Sequence, residues 1–313
     1  MKSIYQLLLE ASEAGQPAAL GIITSVKGSS PQKKGAKAIF FADGRIQGTL
    51  GGGCLEAEVR ERARLALIKQ QPARFEFVLD HDFGWDDGLI CGGKVVGLIL
   101  PRAMESPEMW SELVVRKRMR SWGVAPDFSI QWSEGRESAD WLYHETVSPA
   151  CNLWIAGSGH VAQALAPLAR MVDFEVTVFD DRPALANHNN FPNDTNLCVD
   201  AWDKLLQNAF PSSPTFGLIA TRGHQHDAIV LRHWINLPFA YLGMIGSTRK
   251  RRLIFSGFLE EKIASEAQLE KVFCPAGLDI HSVSVPEIAM SVVAQMVQKR
   301  AELRSVPVAH TCA

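Results

Sequence analysis

The segment GSGHVA at 157–162 constrains the fold of this chain more than any other stretch of the sequence. The apolar run NLWIA (152–156) directly before it is typical of a buried strand, and the run that follows from His160 is typical of an amphipathic helix. At such a junction Gly157 makes a tight turn, Gly159 lets a phosphate approach the backbone, and a small residue three positions later lets the helix pack closely on the strand. The spacing G-x-G-x-x-A therefore indicates a dinucleotide-binding unit.

Strands and helices alternate through the residues that follow this turn. The predicted strands are 152–156, 175–180, 215–220 and 239–245, and the predicted helices are 160–172 and 227–235. We therefore expect a Rossmann-like α/β domain at 151–313, with a doubly wound parallel sheet. Asp180 ends the second strand, where an acid can accept a hydrogen bond from a ribose hydroxyl, whereas Arg182 nearby could contact an extra phosphate. The sequence leaves both interpretations open.

Two further strand-to-helix junctions in this half carry polar residues. The first junction follows the predicted strand 215–220 and contains His224. This histidine could bind a metal, move a proton or contact a phosphate. Alternatively, His224, His226 and Asp227 are the polar residues of an ordinary helix start. Two histidines and one aspartate without a third strong ligand are weak support for a metal site, so the metal stays unassigned.

The second junction is GMIGSTRKR at 243–251. Gly246 and Ser247 precede a cationic run that includes Lys250. A helix N-terminus with several positive charges can hold an anion, although the same run also fits a solvated basic face.

The first hundred residues have a different pattern. Predicted strands are 18–26, 36–42, 45–50, 74–79 and 94–100, and predicted helices are 4–14 and a second one that ends near Gln70. Asp43-Gly44 between two strands is a hairpin signal. We expect an α+β domain with mixed or antiparallel strands at 1–101 and a connecting region at 102–150. Within that region the sequence predicts a helix at 107–122 and edge strands at 128–132 and 140–147.

Three consecutive glycines, Gly51, Gly52 and Gly53, precede Cys54 at the start of the second helix. Glycines before a helix expose N–H donors that suit an anion, and a thiol at a helix start is favoured as the thiolate. Cys91 also lies beside glycines, so the two thiols could share a pocket for sulfur or soft-metal chemistry on an anionic ligand. The alternative is two buried thiols beside glycines that only make turns. Lysines at 27, 33, 34 and 37 predict a basic loop ahead of the turn that helps to attract an anion.

Composition excludes several classes of protein. The formal net charge of the 313 residues is −2, which gives no general attraction to nucleic acid or membrane, and no apolar run is long enough for a membrane span. The six cysteines are widely spaced without a C-x-x-C pair, which disfavours a zinc ribbon and a secreted disulfide framework. We expect a cytoplasmic protein without nucleic-acid or membrane partners.

Seven segments together resemble the xanthine dehydrogenase accessory proteins, the XdhC/CoxI family. They are 28–56, 89–95, 154–169, 176–183, 220–227, 241–251 and 275–295. The resemblance implies a chaperone for the molybdenum cofactor, as molybdopterin or its dinucleotide form, that protects the cofactor and delivers it, sulfurated, to a xanthine dehydrogenase-type molybdenum hydroxylase. It implies a cysteine desulfurase as a second partner and an accessory role rather than turnover.

The same resemblance assigns the family's cysteines to Cys54 and Cys91. The candidate cofactor-binding residues are Gly51, Gly52, Gly53, Cys54, Gly157, Gly159, His160, Asp180, Arg182, His224, Gly246, Ser247 and Lys250.

Other functions stay open from the sequence. An NAD(P)-dependent oxidoreductase would explain Gly157, Gly159 and Asp180 but not the glycine–cysteine motifs. A sulfur or nucleotidyl transferase that modifies the cofactor would use Cys54 directly. Exposed strand edges in the first domain favour a homodimer.

Overall fold

The computed structural model describes residues 2–79, 93–116, 118–133, 140–207, 209–211 and 214–305. The chain forms two compact units, Met1–Pro149 and Ala150–Ala313, here called the first and the second unit.

The first unit begins with a five-stranded antiparallel sheet in the order β3-β2-β1-β5-β4, as the described residues show it. Its elements are α1 (Ile4–Glu13), β1 (Ala18–Lys27), β2 (Lys37–Phe41), β3 (Ile46–Gly48), α2 (Gly53–Lys69), β4 (Ala73–Leu79) and β5 (Gly93–Leu100). The predicted hairpin joins β2 to β3, and Gly44 adopts a φ of +87° in its turn. Helix α2 buries Leu55, Val59 and Ala63 against one face of the sheet. The predicted antiparallel α+β domain is confirmed.

The residues predicted as a connecting region fold within the first unit. They form α3 (Pro107–Val115), β6 (Arg120–Val124), β7 (Ile130–Ser133) and β8 (Tyr143–Val147), and the three strands pair antiparallel in the order β7-β6-β8. Both predicted edge strands occur at the edges of this sheet. Trp110 of α3 and Trp122 of β6 are fully buried in the same core as Leu8 of α1, so this segment shares a core with the first sheet.

The predicted helix at 107–122 was too long. Helix α3 ends at Val115 because Arg116 adopts a left-handed conformation with φ +46° and ψ +36°. Residues 120–122 lie in β6 instead, where Trp122 packs edge-on against Trp110 at a ring-centroid distance of 5.4 Å. Burial of this ring outweighs the local helical pattern of the sequence.

The second unit is a six-stranded parallel sheet in the described residues, with the order β11-β10-β9-β12-β13-β14. Its elements are β9 (Cys151–Ala156), α4 (His160–Met171), β10 (Phe174–Asp180), β11 (Asn196–Val199), α5 (Trp202–Gln207), β12 (Thr215–Ile219), α6 (His224–Trp234), β13 (Tyr241–Met244), α7 (Thr248–Glu260), α8 (Glu266–Leu269), β14 (Val272–Phe273) and α9 (Val285–Ser305). Numbered within the unit, this is the 3-2-1-4-5-6 order of a Rossmann sheet, which confirms the predicted fold class.

Helices cover both faces of this sheet. Helices α4 and α9 bury Leu165 and Met296 on one face, and α6 and α7 bury Trp234 and Phe258 on the other. Strand order reverses between β9 and β12, so the loops that follow these two strands flank the switch point where such sheets bind ligands. No helix in the described part of the chain is long and apolar enough to cross a membrane.

Candidate functional site

The turn between β9 and α4 is built from two glycines with different constraints. Gly157 adopts a φ of +115°, and a Cβ there would lie 2.1 Å from the carbonyl oxygen of Ala220, so only glycine fits against the end of β12. Gly159 is the N-cap of α4 with ordinary extended backbone, and a Cβ there would meet no described atom within 4 Å. No side chain of the described residues caps α4, and the start of the helix has open space beside Gly159.

Asp180 holds this turn from within the protein. Its carboxylate is fully buried and accepts hydrogen bonds from Ser158 N at 2.7 Å and from Arg182 N, Nε and Nη2 at 2.9, 2.8 and 2.7 Å. Burial acts to raise the pKa of Asp180, but the hydrogen bonds from Arg182 and Ser158 outweigh burial and bring the pKa to about 2. The ribose contact, one of the two interpretations that the sequence leaves open, has no open acceptor here, because Arg182 and the turn itself occupy the Asp180 carboxylate.

A second ion pair lies between the loops after β10 and β12. Arg222 donates to both carboxylate oxygens of Asp181 at 3.2 and 2.9 Å, and its Nη2 lies 2.8 Å from Nε2 of His226. These contacts link the two loops that flank the glycine turn across the switch point.

Asp227 and Lys250 connect the starts of α6 and α7. The fully buried Asp227 carboxylate accepts from Thr221 N at 3.1 Å and from Thr221 Oγ1 at 2.8 Å, and it pairs with Lys250 Nζ. Lys250 also donates to the carbonyl oxygen of Ile245 at 2.8 Å. The lysine stem crosses Gly246, where a Cβ would lie 2.6 Å from Lys250 Cδ. Lys250, one of the basic residues of this junction, is thus paired with the buried carboxylate of Asp227.

The remaining candidates of the second unit are exposed. His160 lies at the first position of α4, and His224 lies at the first position of α6. Ser247 caps its own helix by accepting from Lys250 N at 3.3 Å, so the start of α7 already has a side-chain partner. His224, Ser247 and Lys250 line one open basic depression together with Arg249 and Arg252.

In the first unit the three glycines all adopt positive φ angles, +120° at Gly51, +77° at Gly52 and +59° at Gly53. Two of the three glycine amides, those of Gly51 and Gly52, have acceptors within the chain, so these two are not open to an anion as the sequence predicts. Glu56 Oε1 accepts from Leu50 N at 2.7 Å and from Gly52 N at 3.0 Å, and Gly51 N donates to Thr49 Oγ1 at 3.0 Å. The Glu56 carboxylate therefore occupies the Gly52 amide, and the Thr49 hydroxyl occupies the Gly51 amide.

Cys54 is partly exposed in the first turn of α2. Cys91, the other candidate thiol, lies outside the described residues, so the shared pocket of the two thiols stays a prediction. Lys37, predicted in a basic loop, is instead 7% exposed and donates to Glu145 Oε2 at 2.6 Å.

Several residues of these sites were not assigned from the sequence. They are Thr49, Glu56, Asp181, Thr221 and Arg222. Each acts through a backbone N–H or an ion pair with a neighbouring loop, so only the folded geometry identifies it. No group of three or more histidine, cysteine, aspartate or glutamate side chains that could hold a metal ion occurs in the part of the chain that the structure describes.

Two family models match the chain at the two regions that carry these turns. The model "XdhC and CoxI family" matches residues 11–78, and the model "XdhC Rossmann domain" matches residues 153–296. Together they cover more than half of the sequence. The chain belongs to the XdhC and CoxI family.

Individual relatives match over nearly the whole length. A protein of Bacillus subtilis (strain 168) named as a probable xanthine dehydrogenase component is 26% identical, over 96% of this chain and 98% of that protein. The molybdenum cofactor insertion chaperone PaoD of Escherichia coli (strain K12) is 25% identical, over 96% of this chain and 88% of that protein. A crystal structure described as a xanthine dehydrogenase from Bacillus halodurans has a TM-score of 0.82 and 25% identity, over 99% of this chain and 98% of that one.

Proposed function

We propose that this protein is a molybdenum-cofactor chaperone that holds the cofactor and delivers it, sulfurated, to a xanthine dehydrogenase-type molybdenum hydroxylase. The observation that carries the proposal is the open space beside Gly159 at the uncapped start of α4, at the switch point of the Rossmann sheet. Support also comes from the relative PaoD, which is named a molybdenum cofactor insertion chaperone.

The phosphate groups of the molybdenum cofactor suit the amides at the start of α4. Molybdopterin ends in a phosphate, and its dinucleotide form carries a pyrophosphate. Backbone N–H groups and the positive end of a helix dipole stabilise such groups without a dedicated cation. The first amides of α4 would bind the phosphate, and Gly159 would let it approach the backbone. Cys54 would contribute a thiol toward the sulfur and molybdenum chemistry of the cofactor. A cysteine desulfurase would supply the sulfur.

An NAD(P)-dependent oxidoreductase is less well supported. In such proteins an acid at the end of the second strand binds the ribose, and the Asp180 carboxylate has four internal donors instead. Saturable binding of NADH, followed by its fluorescence, would favour this alternative. A transferase that acts on the cofactor would instead be favoured by labelled sulfur found on Cys54 as a persulfide.

The proposal is tested with anaerobically purified protein and mass analysis of bound pterin and molybdenum. The wild type is expected to retain a molybdenum-containing pterin. Gly159→Ala should lower its content at least about tenfold, because a Cβ fills the space of the phosphate and about 1.5–3 kcal/mol of charge-assisted hydrogen bonding is lost. Gly257→Ala is the matched control, because its Cβ also meets no described atom within 4 Å but lies within α7.

Delivery is measured as activation of a cofactor-free hydroxylase. We expect Cys54→Ala to lose activation, and Cys198→Ala, which removes another partly exposed cysteine, to keep it. Protein without pterin or molybdenum, or Gly159→Ala with unchanged content, would contradict cofactor binding at this turn. Normal activation by Cys54→Ala would remove the thiol from the proposal.

A further inference from the structure

The glycine turn before Cys54 is closed by a carboxylate from the helix that it precedes. Glu56 Oε1 accepts three hydrogen bonds, from Thr49 Oγ1 at 2.6 Å, Leu50 N at 2.7 Å and Gly52 N at 3.0 Å. Thr49 Oγ1 in turn accepts from Gly51 N at 3.0 Å. Every backbone N–H from Leu50 to Gly52 thus has a partner within the turn.

This arrangement fixes the backbone of a turn that contains three consecutive glycines. Gly51, Gly52 and Gly53 all lie at positive φ, which glycine adopts readily, but each glycine loses more backbone freedom on folding than any other residue type. A Cβ at Gly52 would meet no described atom within 4 Å, so packing does not hold that residue. Burial acts to raise the pKa of Glu56, but the hydrogen bonds from Thr49, Leu50 and Gly52 outweigh it and lower the pKa. The Glu56 carboxylate is therefore ionised at neutral pH and keeps its three hydrogen bonds to the turn.

We propose that Glu56 is a positioning residue for Cys54: it holds the Gly51–Gly53 turn in the one conformation that starts α2 at Gly53 and places the thiol in the first turn of the helix. The inference rests on the proposed function, in which the Cys54 thiol meets the cofactor. It also changes the role of the turn, because amides committed to Glu56 are not a phosphate site. The cofactor then meets this turn through sulfur and not through its phosphate.

Two substitutions of Glu56 separate its role in positioning the turn from the effect of its negative charge. Glu56→Gln keeps an acceptor oxygen for the amides and removes the charge, whereas Glu56→Ala removes the acceptor as well. Glu61→Ala, on the exposed side of the same helix, is the matched control for the loss of a carboxylate. Thr49→Val is a milder second variant, because it removes one of the three donors to Glu56.

Two readouts need no cofactor. The first is the rate at which iodoacetamide alkylates Cys54 at pH 7, followed on the peptide that contains Cys54. The second is hydrogen exchange of the Leu50 and Gly52 amides. We expect Glu56→Ala to lower the alkylation rate about tenfold, because the thiolate loses its fixed place at the helix start, and to speed exchange of both amides. Glu56→Gln and Glu61→Ala should stay within about twofold of wild type, and Thr49→Val should lie between.

Pterin content of the anaerobically purified variants supplies the third readout. Positioning predicts low content for Glu56→Ala and near-normal content for Glu56→Gln. Higher content in both variants would overturn the proposal, because it would mean that the carboxylate only competes with the ligand for the amides. An unchanged or raised alkylation rate in Glu56→Ala would overturn it as well. A wild type without any pterin would instead contradict the proposed function and leave the alkylation and exchange results to decide the role of Glu56.

Discussion

Asp180 and Glu56 satisfy the same structural need at two unrelated turns. Each carboxylate accepts backbone N–H groups of a glycine-rich turn, Ser158 N for Asp180 and Leu50 N and Gly52 N for Glu56. Hydrogen bonds lower the pKa of both side chains against the opposing effect of burial, from Arg182 and Ser158 for Asp180 and from Thr49, Leu50 and Gly52 for Glu56. Both residues therefore fix the backbone of a glycine-rich turn through hydrogen bonds within the chain.

The Asp180 pKa of about 2, against an ordinary value of 3.8, predicts a pH-dependent contribution to stability. A lowered pKa in the folded state stabilises the fold above the unfolded-state pKa, and this contribution is lost as pH falls from about 4 to about 2. We expect Asp180→Asn to lower the free energy of unfolding by about 2 kcal/mol at pH 7, and by progressively less below pH 4. Urea unfolding of wild type and variant at several pH values measures the difference.

Asp203→Asn is the control, because Asp203 is exposed. The control should unfold like the wild type at every pH. A destabilisation by Asp180→Asn that is the same at pH 3 and pH 7 would contradict the hydrogen-bonded, ionised carboxylate.

The sequence could predict where the two glycine turns lie, but not which side chains of the protein bond to their amides. The glycine spacing and the flanking strand and helix patterns locate the turn at 157–159 and the turn before Cys54. The partners Arg182 for Asp180 and Glu56 for the turn amides follow only from side-chain direction in the folded chain. A pattern of residue types does not distinguish a carboxylate that faces a ligand from one that faces inward.

At the scale of elements, β2 and β8 from the two sheets of the first unit are joined by a buried ion pair. Lys37 Nζ donates to Glu145 Oε2 at 2.6 Å, to Tyr143 Oη at 3.1 Å and to the carbonyl oxygen of Gly35 at 2.9 Å. Tyr5 Oη also donates to Glu145, at 2.8 Å. Burial lowers the pKa of Lys37, and Glu145 acts in the opposite direction. The sheets are thus joined by a satisfied polar network as well as by apolar packing.

Substitution of Lys37 and substitution of Glu145 should lower the free energy of unfolding by different amounts. The Lys37 side chain is 4% exposed and that of Glu145 is 29% exposed, so an unpaired glutamate can be hydrated and an unpaired lysine cannot. We expect Glu145→Gln to lower the free energy of unfolding by about 3 kcal/mol, and Lys37→Met by about 1 kcal/mol. The double variant should resemble Lys37→Met in urea unfolding.

Lys94→Met tests an exposed cross-strand pair with Glu76 on the same sheet and should have a much smaller effect. Equal losses for Glu145→Gln and Lys37→Met would contradict the unequal burial of the two side chains.

At the scale of the molecule, each unit has its own cores. The first unit contains one apolar cluster around Trp110 and Trp122 and another between α2 and its sheet. The second unit has one cluster on each face of its parallel sheet. The sequence could predict the change of pattern near residue 150, but the place of 102–149 in the first unit depends on long-range burial of Trp110 and Trp122. A homodimer stays a prediction that light scattering of the full chain can check.

Separate cores predict separate folding. We expect chains of residues 1–149 and 150–313, produced apart, each to unfold cooperatively in urea with circular dichroism spectra that sum to that of the full chain. Absence of a cooperative transition in either piece would show that its stability depends on the other.

The inward carboxylate at the Rossmann turn has a consequence for exchange of a ligand. Because Asp180 already fixes the backbone of this turn, binding of a ligand would cost the loop little conformational entropy, and neither binding nor release would require the loop to refold.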